Sequence, residues 1–171
     1  MVSVRRLRLR GRVSTERIRR TATRALAALG RRREDVHVTL VDDATIRRLN
    51  AQHLGARRAT DVLAFNLEGP GPSPLLGEVI VSVDTARRQA RRLRVPVALE
   101  LDLLVVHGVL HLAGFEDGDP HAARRMHERE REILAPGRGR SGAARVPERL
   151  WTGLLDHGMP RPRPMTPRPR A

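Results

Sequence analysis

The chain contains no cysteine, no lysine and no tyrosine, and its 171 residues include only two phenylalanines and one tryptophan. Each absence removes a class of function. Without cysteine there is no disulfide framework, no thiolate metal site and no cysteine nucleophile. So few aromatic rings cannot form the platforms on which many RNA-recognition modules stack bases. No apolar run reaches the roughly 18 residues of a membrane-spanning helix. The opening stretch, MVSVRRLRLRGRV, lacks the apolar core of a signal peptide, so a cytoplasmic location is expected.

What is abundant is arginine. It supplies all 33 basic residues against 19 acids, a formal net charge of +14. An Arg- and Ala-rich composition is what a GC-rich genome produces. It is also what a polyanion partner selects, most simply nucleic acid, because the planar guanidinium binds phosphate through two hydrogen bonds. Twelve arginines fall within the first 33 residues. From Ala135 onward there are eight arginines, two acids and seven of the twelve prolines, so residues 1–134 still carry 25 arginines against 17 acids. This predicts one folded domain over 1–134 and an Arg/Pro-rich, largely disordered tail over 135–171. A short helix around Glu148–Leu155, carried by Trp151, Leu154 and Leu155, is the tail's one ordered candidate.

Periodicity gives an α+β order. Val4, Leu7 and Leu9 alternate with arginines up to Arg10, as in a half-exposed strand with a basic outer face. Ser14 caps a helix whose stripe runs through Ile18, Ala22, Ala25, Leu26 and Leu29 to a stop at Gly30. Val36–Val41 forms a second strand, and Asp42 or Asp43 caps a short helix with Ile46 and Leu49. Val62–Phe65 reads as a strand buried on both faces, Asn66–Pro74 as a Gly/Pro loop and Leu76–Val83 as a fourth strand. A helix follows from Asp84, with Ala86, Ala90 and Leu93 on one side and arginines on the others. Pro96 opens the next helix. Val97–Ala113 is apolar nearly all round, which marks a buried helix. Asp119 and Pro120 cap and start the last one, His121–Leu134.

The buried helix ends in HGVLHLAGFED, His107 to Asp117. Positions i and i+4 share a helix face, about 5–6 Å apart at Cβ, so His107 and His111 can grip one metal ion. A lone histidine in an apolar helix is usually a hydrogen-bonded core residue. Two at this spacing, followed by glycine and acids, are less easily explained that way. A catalytic zinc site needs a third protein ligand and an open position. Gly114 lets the chain reverse, and Asp117 is the best-placed third ligand. Glu116, Asp119 and His121 are rivals, with Asp119 better suited to capping. The residue after the first histidine is Gly108, where H-E-x-x-H proteases carry their general base. Gly108 either leaves space over the metal or permits close helix packing.

HGVLHLAGFED resembles the HGxLHLxGYDH signature of the YbeY family, bacterial endoribonucleases implicated in small-subunit rRNA maturation and ribosome quality control. LNAQHLGARRATDVLAF, Leu49 to Phe65, is similar to that family's LN…TDVLSF block. LGEVIVSVDTARRQA, Leu76 to Ala90, is similar to its LGDIxIS…A block. The resemblance implies a single-domain α+β fold, with a small mixed sheet of about four strands packed on a zincin-like metal helix. It also implies one Zn²⁺ held by three histidines. His107 and His111 match two of them, and the third falls on Asp117, giving a His₂Asp set. Leu54 stands where the family places an arginine, and Arg57 and Arg58 follow closely enough to supply that charge.

The function so implied is metal-dependent endonucleolytic cleavage of single-stranded rRNA precursors, with RNA and the small ribosomal subunit as partners. Two alternatives come from other classes. One is a ribosome-assembly factor that binds RNA around a mainly structural metal, suggested by the Asp117 and Leu54 departures. The other is a zinc peptidase, suggested by the His pair and opposed by Gly108.

Overall fold

The structure, a computed structural model, describes residues 1–9, 11–55, 60–67, 75–135 and 146–152. Four strands form one mixed sheet in the order β1-β2-β4-β3: β1 (Val2–Arg6), β2 (Asp35–Val41), β3 (Val62–Asn66) and β4 (Leu75–Ser82). β1 and β4 both run parallel to β2, whereas β3 runs antiparallel to β4. The helices are α1 (Thr15–Ala28), α2 (Asp43–Leu54), α3 (Val83–Leu93), α4 (Val97–Leu112), α5 (Pro120–Leu134) and the short α6 (Arg149–Thr152).

The sheet's alternation decides its two faces. Val36, Val38, Leu40, Val62, Ala64, Val79 and Val81 point to the main core, which α4 fills. Val41, Leu63, Phe65 and Ile80 point the other way and pack with Ile46 and Leu49 of α2. α4 lies between β3 and β4 on one side and α1, α3 and α5 on the others. It therefore has no wet face, and its leucines and valines from Leu101 to Leu110 are at most 3% exposed. Each such side chain contributes about 1.5–3 kcal/mol on burial.

An acid in that helix needs partners. Asp102 has them in α1: Arg17 donates through Nε and Nη2 to Oδ2 at 2.9 and 2.6 Å, and Thr21 donates to Oδ1 at 2.8 Å. A similar clasp joins α2 to α3. Asp42 is the N-cap of α2, accepting from the Thr45 amide at 2.8 Å, which leaves Asp43 free to accept from Ser82, Thr85 and Arg88 at 2.5–2.8 Å.

The first strand lies earlier than its apolar alternation suggests. It pairs Val2 with Val36 through to Arg6 with Leu40, and its last bond runs from the Leu7 amide to the Leu40 carbonyl. Beyond that point its partner turns into α2 and Arg8 adopts φ 54, so Leu7 is left 48% exposed. The third helix begins at Val83, because Ser82 caps it by accepting from the Thr85 amide. Pro96 serves as the N-cap residue of α4. The folded body continues past Leu134: Leu150 and Trp151 of α6 are 0% and 7% exposed and join the main core, with Arg131 lying 5.2 Å over the indole. The helix seen there is Arg149–Thr152, with Glu148 in the turn before it; residues 153–155 of the stretch Glu148–Leu155 lie outside the described residues.

Candidate metal centre

The C-terminus of α4 is built as a reversal. Gly114 has φ 89, a left-handed conformation that glycine adopts without strain. The Phe115 amide donates to the Leu110 carbonyl and the Gly114 amide to the His111 carbonyl, both at 3.0 Å. This is the bonding of a Schellman turn. It throws the next residues back over the helix end, toward His107 and His111.

His107 Nε2 and His111 Nε2 are 3.0 Å apart, and Asp117 Oδ2 is 3.8 Å from the first and 3.9 Å from the second. The donor atoms of these three residues all lie within 4.8 Å of one another. Ligands at about 2.0–2.1 Å around a tetrahedral zinc stand about 3.3 Å apart, so the spacings suit one ion at their centre. The other ring nitrogens are occupied. His111 Nδ1 donates to the Phe115 carbonyl at 3.0 Å, and His107 Nδ1 donates to Glu130 Oε1 at 2.7 Å. Both Nε2 lone pairs therefore face one point, an arrangement that repels unless a proton or a cation lies between them.

Burial alone pulls the His107 imidazole down, but the hydrogen bond and charge of Glu130, with the charges of Asp117 and Asp61, raise its pKa above the ordinary value. Burial and the neighbouring positive His107 lower His111 to about 4. Burial pushes Glu130 up, but the hydrogen bonds from His107 and His127 outweigh it and hold the carboxyl below its ordinary value.

Among the other acids proposed from sequence, Glu116 is exposed. Asp119 is committed to capping: it accepts from the His121 and Ala122 amides at 2.9 and 3.0 Å, and these hold its pKa below the ordinary value. His121 is exposed at the start of α5. Arg57 and Arg58 lie outside the described residues, just beyond the end of α2 at Leu54. Gly108 faces the sheet. A Cβ there would meet Val79 Cγ1 at 2.5 Å and Val62 Cγ2 at 3.3 Å, so its role is close helix packing, and no carboxylate stands where H-E-x-x-H enzymes hold theirs.

Sequence reasoning overlooked Glu130, which is 0% exposed. Its signal was an acid on the apolar stripe of α5, in line with Ala122, Met126 and Ile133.

Fold and site define a small α+β domain with a His-x-x-x-His helix seated beneath a mixed sheet. A family model described as Endoribonuclease YbeY matches residues 8–137. A protein named Endoribonuclease YbeY from an Anaeromyxobacter species is 48% identical over 136 residues, covering 79% of this chain and 70% of its own. The protein of that name from Anaeromyxobacter dehalogenans is 45% identical over 132 residues, covering 77% and 68%. Its namesake from Syntrophus aciditrophicus is 33% identical over 139 residues, covering 78% and 87%. A Thermotoga maritima protein solved in solution shares the fold, with a TM-score of 0.54, 24% identity and coverage of 91% of this chain and 93% of that one. The chain belongs to the YbeY family.

Proposed function

We propose that the chain is a zinc-dependent endoribonuclease that cuts single-stranded precursors of small-subunit rRNA, acting in 3′ end maturation and ribosome quality control in the cytoplasm. The observation that carries this reading is the convergence of His107, His111 and Asp117 on one point, in a chain whose relatives bear the name endoribonuclease. No single helix among the described residues is long and apolar enough to cross a membrane.

In this reading the two imidazoles and the Asp117 carboxylate would hold the ion. A bound zinc ion supplies Lewis acidity toward a phosphate oxygen and a water of lowered pKa. Asp117 in place of a third imidazole brings one negative charge to the centre, which makes that water less acidic than three neutral ligands would. Arg57 or Arg58 neutralises the charge that grows on the phosphate, in place of the arginine that Leu54 does not provide. The arginines of the C-terminal tail hold flanking phosphates.

The test is cleavage of a short single-stranded RNA by the wild type and by His111→Ala. Loss of cleavage in the variant is the expected result, and undiminished cleavage sinks the metal mechanism. Deleting the residues after Thr152 removes Arg161, Arg163, Arg168 and Arg170. The salt dependence of RNA binding then becomes shallower, by up to about 0.7 in log–log slope for each phosphate that is no longer neutralised; an unchanged slope means the tail touches no phosphate.

A further inference from the structure

Glu130 has no solvent contact, yet both of its oxygens are in use. Oε1 accepts from His107 Nδ1 at 2.7 Å, and Oε2 accepts from His127 Nδ1 at 2.9 Å. A buried carboxylate left unpaired costs several kcal/mol, on the order of the penalty for breaking a buried ion pair, so two ring N–H donors are what let it sit there. We propose that Glu130 is the positioning residue of the metal centre, fixing the tautomer of His107, and that His127 fixes Glu130 in turn. The inference rests on the metal reading above.

A neutral imidazole whose Nδ1–H is given to a carboxylate presents its Nε2 lone pair. That atom is the one facing His111 Nε2 and Asp117 Oδ2. The two histidines are held differently. His111 is oriented by a neutral acceptor, the Phe115 carbonyl, which its own Schellman turn supplies. His107 is oriented by a full charge from another helix, 23 residues away in sequence. A charged acceptor raises the basicity of the ring it holds, which makes His107 the stronger of the two donors.

Charge balance supports the same role. A divalent cation with Asp117 alone keeps one positive charge at the site, and the Glu130 carboxylate bound to His107 supplies a second negative charge beside it. His127 is a partly buried member of α5, its side chain 18% exposed, and it takes the oxygen that would otherwise have no donor in the interior. The chain of contacts therefore runs from the helix surface through His127, Glu130 and His107 to the ligand point.

The experiment measures zinc binding to the full-length, metal-stripped chain by competition with a chromophoric chelator, for the wild type, Glu130→Gln and His127→Ala. The ring ¹⁵N shifts of His107 are recorded alongside. The wild type binds one zinc with His107 in the Nδ1–H form. Glu130→Gln weakens zinc about 10–100-fold and leaves His107 a mixture of tautomers. His127→Ala weakens zinc by a smaller factor. A wild type that binds no zinc overturns the metal reading itself, whatever Glu130 does. Zinc affinity and tautomer unchanged in Glu130→Gln overturn the positioning role while leaving the metal reading intact. Should Glu130→Gln fail to fold, His127→Ala decides the matter from the partly exposed end, and unchanged affinity there overturns the relay of contacts.

Discussion

Replacing Gly108 by alanine tests what seats the metal helix. An ideal Cβ at this position lies 2.5 Å from Val79 Cγ1, 3.1 Å from Val79 Cγ2 and 3.3 Å from Val62 Cγ2. Unstrained carbon contacts are about 3.5–4.0 Å. Val79 is 0% exposed in an inner strand, and its branched side chain is stiff at χ1, so it cannot turn aside. The helix has to lift off the sheet. Overpacking of this kind costs about 1–3 kcal/mol, and alanine returns about 1 kcal/mol of helix propensity over glycine. Because the closest approach is to a rigid neighbour, the expected net loss is about 1–2 kcal/mol. In a chain of this size that lowers Tm by about 2–8 °C. The assay is thermal unfolding of the metal-stripped protein. Val79→Ala placed in the Gly108→Ala background relieves the contact, so the double variant loses less than the two single losses summed, by about 0.5–3 kcal/mol. A Gly108→Ala protein at least as stable as the wild type refutes the packing account. If that protein also lost RNA cleavage, Gly108 would be keeping space clear at the metal instead.

Three further outcomes are expected. Asp117→Ala removes one of the three converging ligands, so elemental analysis finds less than one metal per chain where the wild type carries one; equal content in both means Asp117 is not a ligand. Glu100 is 3% exposed, has one oxygen without a hydrogen-bond partner, and is pushed from 4.5 to about 7 by burial and the charge of Asp61, with Arg92 opposing. An acid whose folded pKa lies above its unfolded value destabilises the fold as pH rises from 4.5 through 7, so Glu100→Gln stabilises the chain above neutrality by on the order of 1–3 kcal/mol and does nothing in acid; the same Tm change at both ends of the range contradicts this. Trp151→Ala opens the place that α6 fills in the core and removes the contact with Arg131, costing about 3 kcal/mol; a Tm within 1–2 °C of the wild type, roughly the shift from half a kcal/mol, would show that α6 adds little.

Local signals were legible wherever the interaction itself is local. Ser14, Asp42 and Asp119 cap helices through amides two to three residues away, and residues of these types at such positions announce that bond. Gly30 and Gly114 both adopt the positive φ that ends a helix. The burial of α4 from Glu100 to Leu110 followed from a sequence with no polar face. The bounds of the first strand depend on where β2 turns into α2, which nothing between Val2 and Arg10 reveals. The choice between Asp42 and Asp43 stayed open for a similar reason: the partners of Asp43 are Ser82, Thr85 and Arg88, about forty residues on.

By itself the sequence determined the helix that carries His107 and His111 and the reversal at Gly114. Both follow from backbone geometry over a few residues. The α+β class and the YbeY resemblance were likewise readable, from periodicity and from three blocks in order. Tertiary structure decided what surrounds that pair. It set Asp117 over the two Nε2 atoms. It turned Gly108 toward Val79, and it brought Glu130 of another helix onto His107. These outcomes depend on atoms that meet only when α4 is closed in by the sheet on one side and by α5 on another, so no short-range pattern encodes them.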